Sequence, residues 1–481
     1  MLLSLEPKNI WDFFCQISAI PRPSKHEEKI IAFLVDFATK RGLQYKIDKI
    51  GNVVILKEAT SSLLSGKTII LQSHIDMVCE KLPSSNHDFF KDPIIPFFED
   101  GWVKASGTTL GADNGIGIAA ALAVLDSNDL THCNIEALFT VDEETGLSGV
   151  MALEPDFVKG SMLLNLDSED DGEFYVGCAG GIDTVGSLSF ECEDVSADLF
   201  PFQLTISNLN GGHSGDDIGK GYHSANVILA KFLAHFNTVF PIQIAEIEGG
   251  NLRNAIARDA KIIFLTSKKF KESVRVEFNC FLAEIENDIK LFDPLCDITF
   301  GSVHSPLKTF TVDASRRLID VMIGMPHGVI KWSERIEGLV QTSTNFASIK
   351  QHNNLIEITT SQRSSSKIEK NEIADKVSAL FVKNGFSFAH ENEYPGWESA
   401  HDSELITRAK ASYLSTFGEY PKIKEIHAGL ECGILSERYP HLEIISFGPS
   451  IRGAHSPSEK IEVNAVERFW LLLIKLLHDL S

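Results

Sequence analysis

Two imidazoles and a set of carboxylates are the side chains in this sequence whose types could do chemistry together. His74 and Asp76 are one residue apart in HIDMV, and Asp113 precedes Asn114 in GTTLGADNGIG. Glu143 and Glu144 are consecutive in VDEETG, Asp167 closes LLNLD, and His455 lies in RGAHSPSE. Imidazoles with an excess of carboxylates and no thiolate suit zinc, cobalt or manganese, and the excess suits a pair of ions bridged by one carboxylate. Such a pair polarises a carbonyl and lowers the pKa of a bridging water towards ~7. Glu143 and Glu144 sit next to each other on an extended segment, so their side chains diverge; one can bind metal while the other stays free as a general base.

Taken singly, each signal has a plain structural reading. A histidine beside an aspartate is equally a satisfied core pair, and three consecutive acids after a strand are equally a solvated edge. What weakens those readings is where the residues fall. Residues 68–71 form a β-branched apolar run that leads into His74, residues 135–141 (IEALFTV) end in Asp142, Glu143 and Glu144, and residues 162–166 end in Asp167. His455 follows an expected strand over residues 442–447. In open α/β sheets, ligands collect at the carboxyl ends of strands. Asp113 instead opens an expected small-apolar helix over residues 116–125, among Gly111, Gly115 and Gly117, a loop that would let backbone approach a ligand closely. A phosphate cradle would need GxxxxGK[ST], which is absent, and the aspartate would repel an anion; a cation fits better.

The elements around these strands suggest a split domain. Helices are expected over residues 7–18 and, capped by Ser24, onward to about 41. Between 187 and 393 the rhythm changes to α+β, with strand-like runs at 202–206, 261–266, 274–282 and 355–360 and helices at 224–236 and 367–382. This insert carries His213 in GGHSGDDIG, the stretch GGNLRNAIAR, Asn345 and Arg363, residues that singly are more often structural than functional. From 394 the α/β rhythm resumes, with IHAGLECG (His427, Glu431) and a closing helix over 463–480. The expected domains are therefore 1–186 and 394–481, two parts of one α/β catalytic domain, and 187–393, an inserted lid.

A chain of 481 residues exceeds one core, and 43% hydrophobic with 23% charged residues is an ordinary globular composition. A net charge of −22 disfavours nucleic acid and anionic membranes as partners. Eight scattered cysteines without a CxxC pair suggest neither a disulfide framework nor a thiolate zinc site. No signal peptide and no membrane-spanning run are evident, so a cytoplasmic protein is expected.

Together HIDMV, TTLGADNGIG, DEETG, NLDSED, GCAGGID, GGHSG, RNAI, YPGW, HAGLECG and GAHSP resemble the aminoacyl-histidine (Xaa-His, β-alanyl-histidine) dipeptidases of the dinuclear zinc aminopeptidase and carboxypeptidase clan. The resemblance runs from about residue 11 to the C-terminal helix. It implies a mixed-sheet, phosphorylase/hydrolase-like metallopeptidase domain split by an α+β lid, and two divalent ions, zinc with cobalt or manganese as substitutes. It assigns His74 and Asp167 to one ion, Glu144 and His455 to the other, and Asp113 to both, with a cis peptide between Asp113 and Asn114. Asp76 would orient His74, Glu143 would activate the water, and His213 would stabilise the oxyanion. Asn345 and Arg363 would grip the backbone and free carboxylate of a dipeptide, with His427 and Glu431 bordering the pocket. The insert is longer than the clan's usual lid, like a doubled one, so His213 could act within its own chain; a homodimer stays open without being required. Asn-Ala-Ile-Pro of relatives reads Asn254-Ala255-Ile256-Ala257 here. Within the clan an N-acyl amino acid deacylase or carboxypeptidase is the alternative, and outside it a decayed metal-binding scaffold; a serine hydrolase lacks its G-x-S-x-G.

Overall fold

The β-branched run that leads to His74 packs on both faces, which is what a central parallel strand requires. In the computed structural model, which describes residues 2–398 and 402–481, this strand lies inside an eight-stranded sheet. Its strands are β1 (Gln44–Ile47), β2 (Val53–Lys57), β3 (Thr68–His74), β4 (Asn134–Thr140), β5 (Met162–Asn165), β6 (Glu173–Cys178), β7 (Lys422–Ile426) and β8 (Glu443–Ser446), in the order β1-β2-β4-β3-β5-β8-β6-β7. The central run β4-β3-β5-β8 is parallel. His74 pairs with Thr140 and Gln72 with Asn165, so β3, β4 and β5 end side by side. Neighbouring strands are about 4.8 Å apart, close enough for residues just beyond three such ends to meet.

This sheet belongs to a unit made of Met1–Gly177, Trp397–Glu425 and Leu430–Ser481; residues 1 and 399–401 of the expected catalytic segments lie outside the described residues. Its core takes in the buried helix Ala112–Asp126 and the apolar faces of Lys8–Ser18 and Val463–Leu480. The helix Ala112–Asp126 is interrupted by non-helical backbone at Asp113 and Asn114, and the peptide between them is cis. A separate four-stranded sheet contains Phe97–Glu99, Trp102–Lys104, Ile451–Arg452 and Lys460–Glu462.

The second unit comprises Cys178–Gly396 and Ile426–Gly429. The expected boundaries at 187 and 393 fall inside its strands Gly180–Ser189 and Ser387–Tyr394. Those strands pair with each other, and the first also pairs with Leu355–Ser364, which binds them to the insert's nine-stranded sheet. Its core is rich in phenylalanine, including Phe202, Phe232, Phe236 and Phe264. Residues 274–282 are not a strand but part of the helix Lys271–Phe292. The alternation VRVEF imitates a strand, yet the buried positions Val274, Phe278 and Phe281 follow the helical repeat. Among the described residues no disulfide joins any of the eight cysteines, and no helix is long and apolar enough to cross a membrane.

Candidate metal centre

Four residues expected from strand ends and one from a helix start come together. His74 is the last residue of β3, Glu143 and Glu144 follow β4, and Asp167 follows β5. Asp113, in the interrupted turn of Ala112–Asp126, reaches the same place. Its two oxygens face different imidazoles: Oδ1 is 3.0 Å from His74 Nε2 and Oδ2 is 3.1 Å from His455 Nε2. Asp167 Oδ1 lies 3.4 Å from His74 Nε2, and Glu144 Oε2 lies 3.1 Å from His455 Nε2. Potential ligand atoms cluster within metal-binding range as His74–Asp113–Asp167, Asp113–Glu144–His455 and His74–Glu143–Glu144. His455 does not close a strand of the main sheet. It sits at positive φ between Ile451–Arg452 and Lys460–Glu462, and at 55% side-chain exposure it is the open edge of the cluster.

Asp76 is fully buried and spends both oxygens on the cluster. Oδ1 accepts from Glu143 N (3.1 Å) and lies 3.2 Å from His74 Nδ1; Oδ2 accepts from Glu144 N (3.2 Å) and Ser24 Oγ (2.7 Å). Ser24 therefore does not cap the second helix, which starts at Glu28 after Glu27; its hydroxyl is taken by Asp76.

The charges explain one another. Burial opposes charge on Asp76, but His74, Ser24 and the Glu143 N–H outweigh it and hold its carboxyl at about 2. Burial likewise opposes charge on His74, yet Asp167, Asp113 and Asp76 keep its pKa well above 6.5. His455 is raised to about 11 by its bonds to Asp113 and Glu144. Burial pushes Glu143, Glu144 and Asp167 up, with like charges adding to it. Too many acids share too small a space for two imidazolium ions to neutralise.

The inserted unit holds the remaining expected residues. His213 Nδ1 lies 3.3 Å from Asp216 Oδ2, and its backbone N–H donates to Asp217 Oδ2 (2.7 Å). Arg363 Nη1 donates to Tyr394 Oη (2.8 Å), while its Nε, buried, has no partner. Asn345 Nδ2 donates to Ala255 O (2.8 Å), and its buried Oδ1 is unpartnered. His427 shares a 2.7 Å bond with Ser343 Oγ, and burial, reinforced by Arg363, lowers its pKa to about 3. Glu431, by contrast, belongs to the first unit. It is 1% exposed, and its Oε2 accepts from Gln72 Nε2 (2.6 Å) and Thr140 Oγ1 (2.9 Å). Burial raises it to about 8.

With this geometry in hand, comparison with known proteins is decisive for the family. The sequence pattern of Peptidase family M20/M25/M40 matches residues 70–479. The chain belongs to this peptidase family. It is 36% identical over 479 residues to the cytosol non-specific dipeptidase of Escherichia coli (strain K12), covering 100% of this chain and 99% of that one. The crystal structure of aminoacylhistidine dipeptidase from Vibrio alginolyticus superposes with a TM-score of 0.92 at 37% identity, over 99% of this chain and 97% of that one. Aminopeptidase PepT of Bacillus cereus shares the fold at 17% identity, with a TM-score of 0.57 over 99% of both chains.

In this M20/M25/M40 chain several residues that support the cluster carry no recognisable motif. Glu459 accepts from four consecutive backbone N–H groups: Leu110 (2.7 Å) and Gly111 (3.0 Å) at Oε2, Ala112 (2.7 Å) and Asp113 (3.3 Å) at Oε1. Gln72 bridges Glu431 and Thr140, and half-buried Glu169 is raised to about 8 by desolvation and by Asp113. The glycines of the Asp113 loop do not open space for a ligand. A Cβ at Gly117 would stand 1.9 Å from Asn114 Oδ1 and 2.7 Å from Leu166 O, and one at Gly111 or Gly115 would meet Arg22 Nη2 at 2.7 or 2.8 Å. The chain's own groups fill that room. The donor set itself fits divalent cations, being two imidazole nitrogens with carboxylate oxygens, and Glu144 Oε1 is buried with no protein partner.

Proposed function

We propose that this M20/M25/M40 peptidase is a dinuclear-metal dipeptidase acting on unblocked dipeptides, Xaa-His among them, in the cytoplasm. One observation carries the reading: the two oxygens of Asp113 face two different imidazoles, each backed by a further carboxylate, which is the donor arrangement of two adjoining cation sites. His74 and Asp167 would hold one ion, Glu144 and His455 the other, with Asp113 between them. The names of the Escherichia coli and Vibrio alginolyticus relatives support dipeptides and aminoacyl-histidine as substrates. Zinc is the expected metal, with cobalt or manganese able to substitute.

When bound, the ions supply Lewis acidity, polarising the scissile carbonyl and making a water acidic enough to be used at neutral pH. The protein does the proton work. Glu143 takes the proton from the attacking water and delivers it to the departing amine; burial raises its proton affinity, which lets it hold that proton between the two steps. Asp76 keeps the His74 ring fixed through Nδ1 and holds the Glu143 and Glu144 amides. In the inserted unit, His213 is assigned to the developing oxyanion, Arg363 to the substrate carboxylate, Asn345 to its backbone and His427 to the pocket border. Glu431 acts from behind through Gln72 and Thr140.

The test is chelation followed by addition of zinc, cobalt or manganese, read on a panel of Xaa-His and other dipeptides, free and N-acetylated. Restored hydrolysis of the free dipeptides is expected, with Glu143→Gln retaining two ions per chain and losing turnover by about 10²-fold or more. Preference for acetylated substrates would make the protein a deacylase. A Glu143→Gln enzyme with near-normal turnover would remove Glu143 as the base.

A further inference from the structure

The strand end carrying His74 and the loop carrying Asp113 are far apart in sequence, and one buried guanidinium joins them. Arg22, 2% exposed in the turn IPRPS, donates from Nη1 to the carbonyls of Ile75 (3.1 Å) and Asp76 (2.5 Å) and from Nη2 to the carbonyl of Gly111 (2.5 Å). The same segment grips its neighbours. Met77 N donates to Arg22 O (3.1 Å), Ser24 donates to Asp76, and Glu27 Oε1 accepts from Asp142 N (3.1 Å), at the start of the turn that holds Glu143 and Glu144.

Burying a cation is costly unless charge and hydrogen bonds compensate. Here the compensation comes from the Asp76, Asp113 and Glu459 carboxylates, whose fields act on it, and from three backbone carbonyls. A planar fork of donors suits carbonyls that lie in different directions from one centre, and an ammonium on a flexible stem does not reproduce it. The loop is shaped to receive it. Gly111 adopts φ +70, and a Cβ there or at Gly115 would fall 2.7 or 2.8 Å from Nη2.

We propose that Arg22 is a positioning residue for metal binding: by tying Ile75 and Asp76 to Gly111 it sets the separation of His74 from Asp113 before any ion arrives. This rests on the reading of His74 and Asp113 as metal ligands. The experiment is titration of the chelator-treated full-length protein with Co²⁺, followed by calorimetry and by the visible absorption spectrum, for wild type, Arg22→Lys and Gly115→Ala. The second variant keeps Arg22 but crowds its Nη2, and it carries the test if Arg22→Lys does not fold. Expected are dissociation constants raised about 10- to 100-fold in both variants, with a changed cobalt spectrum, the size of effect seen when groups that orient ligands are lost. Variants that melt earlier but bind Co²⁺ with wild-type affinity and spectrum would show Arg22 to be merely structural and overturn the inference. Wild-type protein that takes up no cobalt would instead overturn the metal reading, and this inference with it.

Discussion

Replacing Asp76 with asparagine removes one charge and no volume, so its consequences can be worked from the contacts. The carboxylate is held at about 2 against an ordinary 3.8. At about 1.4 kcal/mol per pH unit, its ionised form contributes about 2–3 kcal/mol to the folded, metal-free protein. The amide keeps one acceptor, but its NH2 must face either the Glu143 N–H and His74 or the Glu144 N–H and Ser24. An unsatisfied backbone donor adds about 1 kcal/mol even if the Ser24 hydroxyl turns to accept. A total of roughly 3–4 kcal/mol should lower the melting temperature of chelator-treated protein by roughly 3–8 °C, because the unfolding entropy grows with chain length. The sign in pH is fixed by the direction of the shift. Because the folded pKa is depressed, the wild-type advantage is complete above pH ~4 and shrinks as pH falls towards about 2. Zinc affinity should fall about 10- to 100-fold, since His74 loses the group that orients it. Calorimetric melting from pH 7 to pH 3 and zinc titration read both effects. An Asp76→Asn protein that melts with wild type and binds zinc as tightly would refute the reasoning.

Arg363→Ala should raise KM for free dipeptides by about 30- to 100-fold, the loss of a charge-assisted pair of hydrogen bonds, and should leave dipeptide amides almost unaffected; steady-state kinetics with an unchanged KM would remove Arg363 from the carboxylate site. Tyr394→Phe, which deletes the partner of Arg363 Nη1, should raise the same KM by only a few-fold. Gly117→Ala forces a Cβ against Asn114 Oδ1 and Leu166 O, an overpacking of about 1–3 kcal/mol. Because Asn114 also donates to Asp167, metal content measured on the folded variant should fall, and full occupancy would contradict the role given to this glycine.

How far the sequence could be read depended on whether a residue serves a side chain or the backbone. His74, Glu144 and Asp167 were legible because β3, β4 and β5 are adjacent and parallel, so residue type at a strand end suffices to bring them together. His455 is legible by its type and its motif; the expected strand is present as β8, and beyond it a turn of the four-stranded sheet, between Ile451–Arg452 and Lys460–Glu462, carries the imidazole. Arg22 and Glu459 left no such mark, since their partners are carbonyls and N–H groups that every residue carries. Their trace was the glycine spacing around Asp113, which the sequence alone allowed to be read as access for a ligand. Ser24 misled for a related reason, because a hydroxyl before a helix can cap it or bond a neighbouring carboxylate with equal ease.

The division of labour between Glu143 and Glu144 rests on more than their divergence along an extended segment. Their amides are held by the two oxygens of one carboxylate, Glu143 N at Asp76 Oδ1 and Glu144 N at Oδ2, so the turn cannot rotate to exchange them. From that fixed turn Glu144 reaches His455 at 3.1 Å and joins the cluster built on Asp113. Glu143 enters a ligand-range group with His74 and Glu144, without Asp113 or His455. On the proposed reading, the carboxylate that belongs to the set sharing Asp113 is the one that would hold an ion. On the same reading its neighbour, half-buried, outside both sets that contain Asp113 and raised in proton affinity by desolvation, is the one left to carry a proton.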